Sequence, residues 1–555
     1  MSAKLNSDGK AELELKSPLR DDLKAPSNEE VAACRPCRLA IVVIFTLVLV
    51  AMLVAAIVVI ATSKRCGKPL QRTEFWKTET FYQIHVPSFQ DTSDDGKGDL
   101  KGIVTRLAYL ESIGVKVLVL SGLVSDKEFQ NFAKDEDKNE FGNLVSKAKE
   151  RGISIVLEMD PTYTSSSSPW FQGSAASKDN AYRSWYHWSK TTNNWQSMSG
   201  GVAWQMHTST NFSYYFYVDK DKPALNYNTS SVKDEFKKAL IAWMDRGAKG
   251  FKLNNFQRLV VDGRYSDNPS SQFVNDKDLK ATHNVLKEFH KVVATRGGFL
   301  MGALEEIADS KNTRVYYGNE KEKELDLVLN SHFTGTFSGN PGVFVNKTLS
   351  DYLQAVPSFS WPGWIFDGPE FKQRLGQRFS QKELVWLNNV LQLTLPGTPV
   401  FYYGDELGLK DVITEAMAWD NTDNGGFSKK NPWYSNTKVK QVTNVEEQKK
   451  KNETYTIFKQ VNELRLKERS LQSLNVKVWY ATGSVIIFQR YLEGQKSFVV
   501  ALNFGNKQES ASLSNPGVNK GIIRIDTRFE IISRELNFNQ INLKPFQGLI
   551  LEVLN

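Results

Sequence analysis

Cysteine is nearly absent: the 555-residue chain has three, Cys34, Cys37 and Cys66, and none in the roughly 490 residues that follow. A small disulfide-stapled scaffold is thereby excluded, and the bulk of the chain must hold together by packing. Histidine is scarce too, six in all, and neither His85 nor the others fall at metal-ligand spacing. Cys34-Arg-Pro-Cys37 supplies only half the ligands of a zinc site. Net charge is +8, about +2 of it before Gly67, and it is spread without an arginine-rich block or a nucleic-acid motif. Nucleic acid is not an expected partner. Residues 1–33 have almost no large apolar side chains, so residues 1–38 read as a disordered polar tail.

Long apolar runs are missing as well, with one exception. Residues 39–62, LAIVVIFTLVLVAMLVAAIVVIAT, are two dozen residues without a charge. A hydrocarbon layer of about 30 Å needs about 20 apolar residues in a helix, so this stretch is long enough to cross a bilayer. A polar tail of 38 residues precedes it, which a cleaved signal peptide would not have. Arg35 and Arg38 on one flank and Lys64, Arg65 and Lys68 on the other leave the charge rule undecided. The four Asn-x-Ser/Thr sequons, at Asn211, Asn228, Asn346 and Asn452, all follow the span. They indicate a cytosolic N-terminus and an extracellular body. Cys66 then stands alone on the oxidising side, four residues past the span, where an odd thiol suggests an intermolecular bridge; a free or capped thiol is the alternative. On the reducing side, Cys34 and Cys37 suit reversible palmitoylation.

After a connector, residues 63–80, a strand–helix rhythm begins at Phe81 to Val86. Leu100, Ile103, Leu107 and Leu110 recur at helical spacing, Gly114 can end that helix, and Val115 to Leu120 is a continuous apolar strand. The unit recurs through strands at 153–157, 250–253, 299–301 and 400–403, each preceded by an amphipathic stretch. Such alternation specifies parallel strands with crossover helices, and its length favours an α/β fold of the (β/α)8 barrel kind over residues 81–470. Between about 161 and 225 the rhythm gives way to Ser, Asn, Trp and Tyr, too long for an ordinary loop, and an inserted domain is expected. From 471 to 555 short β-rich runs indicate a separate all-β domain.

The segment 395–408, LPGTPVFYYGDELG, resembles a late barrel strand of the α-amylase superfamily, particularly its α-glucosidase branch. So do 91–103, DTSDDGKGDLKGI, and Met417-Ala-Trp-Asp420 followed by Gly425-Gly-Phe-Ser428. Ancestry of this kind does not settle activity. Retaining glycosidases need a nucleophilic carboxylate and an acid/base partner about 5 to 5.5 Å apart. The resemblance places the nucleophile in a pattern like G-F-R-x-D, which here reads Gly250-Phe-Lys252-Leu-Asn254. An amide is too poor a nucleophile to form the glycosyl ester, and Lys252 cannot make arginine's bidentate fork. The D-x-x-P-N-H segment reads Glu158 to Tyr163, without the sugar-binding histidine. The acid/base position falls on Leu304, or on Glu305 with a one-residue shift, and the late N-H-D reads Gly368-Pro369-Glu370. Glu158, Tyr163, Lys252, Asn254, Leu304, Pro369 and Glu370 thus mark a degenerate site.

An amylase-like body without these groups, on one N-terminal span with a cysteine just outside it, resembles the heavy chains of heteromeric amino-acid transporters, the rBAT and 4F2-antigen heavy-chain family. Ser63-Lys-Arg-Cys66 is similar to that family's juxtamembrane segment. The resemblance implies that Cys66 bridges to a polytopic light chain, and that this chain supports the folding, trafficking and surface stability of that partner at the plasma membrane. Membrane lipids are the other expected contact. A membrane-anchored α-glucosidase and a cell-surface receptor or adhesion protein are the alternatives.

Two further features carry expectations. Asp91, Ser93, Asp95, Lys97 and Asp99 put oxygen ligands at alternate positions of a glycine-bearing loop, as a hard cation requires. In the related glycosidases this loop binds calcium through a backbone carbonyl at the position matching Lys97. Calcium is therefore expected, with glycine–aspartate turns and an Asp99 helix cap as the alternative. The aromatic residues Trp170, Trp185, Tyr186, Trp188, Trp195 and Trp204 read as packing for the inserted domain rather than a carbohydrate cleft.

Overall fold

The computed structural model describes residues 35–62, 74–269, 275–304, 310–335, 337, 339–371, 374–410, 414–434, 443–451, 453–513 and 518–554. Cys34, Cys66, Glu305 and Asn452 lie outside these, as does the side chain of Glu370. The chain divides into two units, residues 1–68 and 69–555.

In the first unit the described residues form a helix, Arg35–Thr62. Its stretch Arg38–Val58, with mean hydropathy 3.3 and no buried residues, is long and apolar enough to cross a membrane. As described, the helix includes the four residues Arg35 to Arg38 ahead of the apolar run.

In the second unit eight parallel strands close into a barrel: β1 Phe81–His85, β2 Val117–Ser121, β3 Ser154–Met159, β4 Gly250–Leu253, β5 Phe299–Ala303, β6 Leu327–Asn330, β7 Trp361–Ile365 and β8 Thr398–Tyr402. Each pairs with its neighbours in sequence, and β1 closes on β8 through the register Phe81 opposite Val400. Strand β1 stops at His85 rather than Val86, because Pro87 opens the short helix Val86–Phe89. Side chains alternate inward and outward along each strand. The inward set, among them Phe81, Val117, Val119, Val156, Phe299, Met301, Leu327, Leu329, Ile365 and Val400, forms its own buried cluster inside the barrel. Trp76, on the helix Phe75–Thr78, stacks on Phe299 at 5.6 Å and closes the N-terminal end.

The outward set packs against the crossover helices. In Leu100–Ser112, Asp99 caps the N-terminus by accepting from Gly102 N at 2.7 Å, and Leu100, Ile103, Leu107 and Leu110 are buried. In Ser230–Asp245, Val232, Phe236, Ala239, Leu240 and Trp243 form the corresponding buried stripe.

Between β3 and β4 lies a region built of the helix Pro169–Ala176 and a three-stranded sheet in the order 188–189, 212–215, 204–207. Trp170, Trp185, Tyr186, Trp195 and Trp204 are buried there. Trp170 meets Trp185 edge-on at 5.1 Å, and Trp188 stacks on Phe171 at 5.6 Å. The Trp195 and Trp204 indole N–H groups donate to Ser266 O and Asn193 Oδ1. These rings are the core of the insertion. After the barrel, a six-stranded sheet and a two-stranded sheet form the C-terminal part. Helix Pro341–Ala355 lies so close to it that a Cβ on Gly342 would meet Val485 O at 2.1 Å.

Candidate functional site

The inward parity of the strands decides what stands at the C-terminal mouth. One step of two beyond Phe81 is Gln83 and beyond Val156 is Glu158; two residues after Gly250 comes Lys252, and two more give Asn254. Glu158 and Lys252 are register partners on β3 and β4. The Lys252 ammonium, fully buried, donates to Glu158 Oε2 at 2.7 Å and reaches Asn254 Oδ1 at 3.4 Å. Gln83 Nε2 donates to the same Glu158 oxygen at 2.6 Å. Where the resemblance puts a nucleophile, a neutral amide therefore lies beside an ammonium already engaged with a carboxylate.

The other positions that the resemblance assigns to the site include Tyr163, Leu304 and Pro369. Tyr163 forms a bridge with Ala224, accepts from Lys222 Nζ at 3.1 Å and carries that ammonium over its ring at 4.7 Å. It borders a crevice of only about 10 Å³ shared with Tyr215, Tyr217 and Arg258. Leu304 is buried at the end of β5. Pro369 opens a turn of 3-10 helix, residues 369–371. Thus Glu158, Lys252 and Asn254 come together, and Tyr163 is committed to the inserted region.

Several further polar residues stand at this end. Asp160 accepts from Thr162 N at 3.0 Å, from Thr162 Oγ1 at 2.5 Å and from Asn255 Nδ2, and burial raises its carboxyl to about 6. Asn255 adopts the left-handed conformation, φ 50°, which asparagine tolerates better than most residues. His85 ends β1 with Nδ1 3.0 Å from Ser88 Oγ; burial lowers its imidazole to about 4, so it is neutral at physiological pH. Asp367 and Asp405 are buried with Arg374, which donates to Tyr403 O at 2.5 Å and lies 4.5 Å from that ring. Burial, then the charge of Asp367, pushes the Asp405 carboxyl well above the usual carboxylate range. Asp367 adjoins the Gly368-Pro369-Glu370 segment, and its position one residue ahead of that motif is the only signal that could have found it.

In the glycine loop, Asp91 Oδ1 accepts from Ser93 N, Ser93 Oγ and Asp94 N at 2.9–3.2 Å. Its Oδ2 accepts from Gly96 N at 2.8 Å and Ser428 Oγ at 2.6 Å. Asp99 accepts from Thr92 N, Thr92 Oγ1, Ser93 N and Gly102 N. Asp95 pairs with Lys134 Nζ at 2.9 Å, and Lys97 offers its carbonyl to the same ammonium at 3.4 Å. Among the described residues, no group of three or more His, Cys, Asp or Glu is arranged to hold a metal ion.

Of the sequons, Asn211 is exposed at φ 58° in the turn between strands 204–207 and 212–215, and Asn228 is exposed ahead of helix Ser230–Asp245. Asn346 lies half-buried within helix Pro341–Ala355.

A closed eight-stranded barrel with a long insertion after β3 and a C-terminal β part is the architecture of the α-amylases. The alpha amylase catalytic domain family matches residues 83–473, and the chain belongs to that family. Beyond the barrel, the chain is similar to the amino acid transporter heavy chain SLC3A1 of Rattus norvegicus, 27% identical with 91% of this chain and 82% of the relative covered. The Homo sapiens protein of that name is also 27% identical, with 90% and 80% covered. The salivary alpha-glucosidase of Aedes aegypti is 26% identical over 80% of this chain and 88% of its own. Among solved structures, the trehalulose synthase MutB of Pseudomonas mesoacidophila superposes with a TM-score of 0.79 at 20% identity, covering 87% of this chain and all of the enzyme. That likeness shows the fold.

Proposed function

We propose that this chain is a non-catalytic heavy chain of a heteromeric amino-acid transporter, joined through Cys66 to a polytopic light chain. In this reading it is a single-pass plasma-membrane glycoprotein with its body outside, and it supports the folding, trafficking and surface stability of its partner. The observation that carries the reading is the Lys252 ammonium between Glu158 and Asn254. In this reading an amide stands at the nucleophile position and, in the ungapped register, Leu304 at the acid/base position, so the chain lacks the carboxylate that would form the glycosyl ester. A body of this size retained without that carboxylate is of use as a scaffold, and similarity to transporter heavy chains over nine-tenths of the chain supports that use. Permeation and amino-acid selectivity then belong to the light chain. The test is electrophoresis of membrane extracts with and without reductant: a heavy complex that collapses on reduction and is missing in Cys66→Ser is expected. A monomer band under both conditions would remove the covalent link, and mass spectrometry of the co-purified partner identifies the light chain.

The second reading, a membrane-anchored α-glucosidase, draws on the similarity to the mosquito enzyme. Maltose hydrolysis by the purified protein, abolished by substitutions at the barrel mouth, would establish it in place of the first.

A further inference from the structure

In the 91–99 loop the donors present do not suit a divalent ion. Such an ion takes six to eight oxygens at about 2.3–2.6 Å, supplied by carboxylates with lone pairs free to turn toward it. Here both oxygens of Asp91 and both of Asp99 already accept two or three hydrogen bonds each from Thr92, Ser93, Asp94, Gly96, Gly102 and Ser428. The two remaining ligands of the expected set, the Asp95 carboxylate and the Lys97 carbonyl, converge on Lys134.

We infer that the ammonium of Lys134 supplies the positive charge of this loop, so that a tethered cation from the chain itself does what a bound divalent ion would do. Lys134 is well placed for the task. It sits in the turn leading into helix Asp137–Glu150, its carbonyl accepts from Asp137 N at 3.3 Å, and Asp137 Oδ1 in turn accepts from Leu100 N at 3.0 Å. The turn that presents the ammonium is therefore fastened to the helix that Asp99 caps. The lysine side chain is about four-fifths covered, with 21% of its surface exposed. Burial opposes its charge, yet hydrogen bonding and attraction to Asp95 hold the ammonium above its ordinary value. Asp95, against its own smaller desolvation, is held below the usual carboxylate range. A lysine contributes one charge and three donors, which suits a loop that offers it the Asp95 oxygen not taken by Lys97 N and the Lys97 carbonyl. The consequence is a loop whose closure is indifferent to extracellular calcium.

Hydrogen–deuterium exchange of the full-length protein in detergent tests this, with calcium as the probe. Exchange across residues 92–97 is expected to be the same in millimolar calcium and in chelator, with no calcium retained on equilibrium dialysis. Lys134→Met should speed exchange there by about five- to tenfold, and Lys134→Arg should stay near wild type. Stoichiometric calcium binding by the wild-type protein, or calcium-dependent slowing of its loop, would overturn the inference. So would Lys134→Met exchanging as slowly as wild type. Should Lys134→Met fail to fold, the wild-type calcium titration and the arginine variant decide.

Discussion

Lys252 and Glu158 face each other across β4 and β3 as strand partners, 2.7 Å apart, with the lysine wholly out of water. Taking both charges from solvent costs several kcal/mol per ion, which the pair recovers only because Gln83 and Asn254 satisfy further lone pairs and protons. Removing one member strands the other. Lys252→Met is expected to destabilise the body by about 3–5 kcal/mol, and Glu158→Gln with Lys252→Met together by less than the single lysine change. Denaturant unfolding of the variants checks this; equal losses in single and double variants would show that the two side chains are not coupled.

The same pair bears on whether a carboxylate at residue 254 could act as a nucleophile. Asn254→Asp would put a carboxylate 3.4 Å from the Lys252 ammonium, where attraction stabilises the charged form and blunts it as a nucleophile. Leu304 offers no proton to a leaving group. The expected rate of maltose hydrolysis by Asn254→Asp is that of buffer alone, measured by glucose release over hours. Turnover well above that background would mean that an acid elsewhere at the mouth serves, and the scaffold reading would lose its main support.

A third outcome concerns Arg374. With Arg378 it is one of two guanidinium groups beside the buried carboxyls Asp367 and Asp405, and its charge lowers both against burial. Without it, only Arg378 remains to offset their charge. Arg374→Met is expected to cost about 3–5 kcal/mol near neutral pH. The loss should shrink as pH falls below neutral, because protonating the carboxyls removes the uncompensated charge. Unfolding midpoints for wild type and variant across that range provide the measurement, and a loss that is independent of pH would assign Arg374 a packing role only.

These residues show where sequence reading reached and where it stopped. Strands such as Val117–Ser121 are unbroken apolar runs beside helices of clear period, so the barrel was legible from composition and spacing alone. Two of its eight strands were not. Leu327–Asn330 is four residues long, and Trp361–Ile365 contains Pro362 and Gly363, which read locally as breakers. A Cβ on Gly363 would come within 2.7 Å of the Leu329 side chain on β6, a contact that no local pattern contains. The positions that the resemblance assigns to catalysis, Asn254 and Leu304, could be aligned because motif words flank them. Asp367 was passed over because it lies just outside such a word. Lys134 illustrates a deeper limit: its partners are more than thirty residues away, and only the closing of β1 on β2 brings the two loops together.

Acid sensitivity follows from two buried imidazoles. His85 and His187 are both lowered to about 4 by burial, so each is neutral in the folded protein and charged below its ordinary pKa of about 6.5 when unfolded. For a base with a depressed folded pKa the unfolded state binds more protons between those two values. Stability is therefore fully present above about pH 6.5 and falls as pH drops toward 4, by at most about 3 kcal/mol per histidine. Asp137 and Asp160, both raised to about 6 by burial, act in the opposite sense over about pH 6 to 4, since the folded state then binds more protons than the unfolded. The wild-type slope is thus a difference, and variants separate its parts. His187→Gln should flatten the fall in stability between pH 6.5 and 4, whereas Asp160→Asn should steepen it, by removing a group whose protonation favours the fold. Thermal or urea unfolding at half-unit intervals of pH would read both slopes, and a His187→Gln profile parallel to wild type would show that this imidazole is not held neutral.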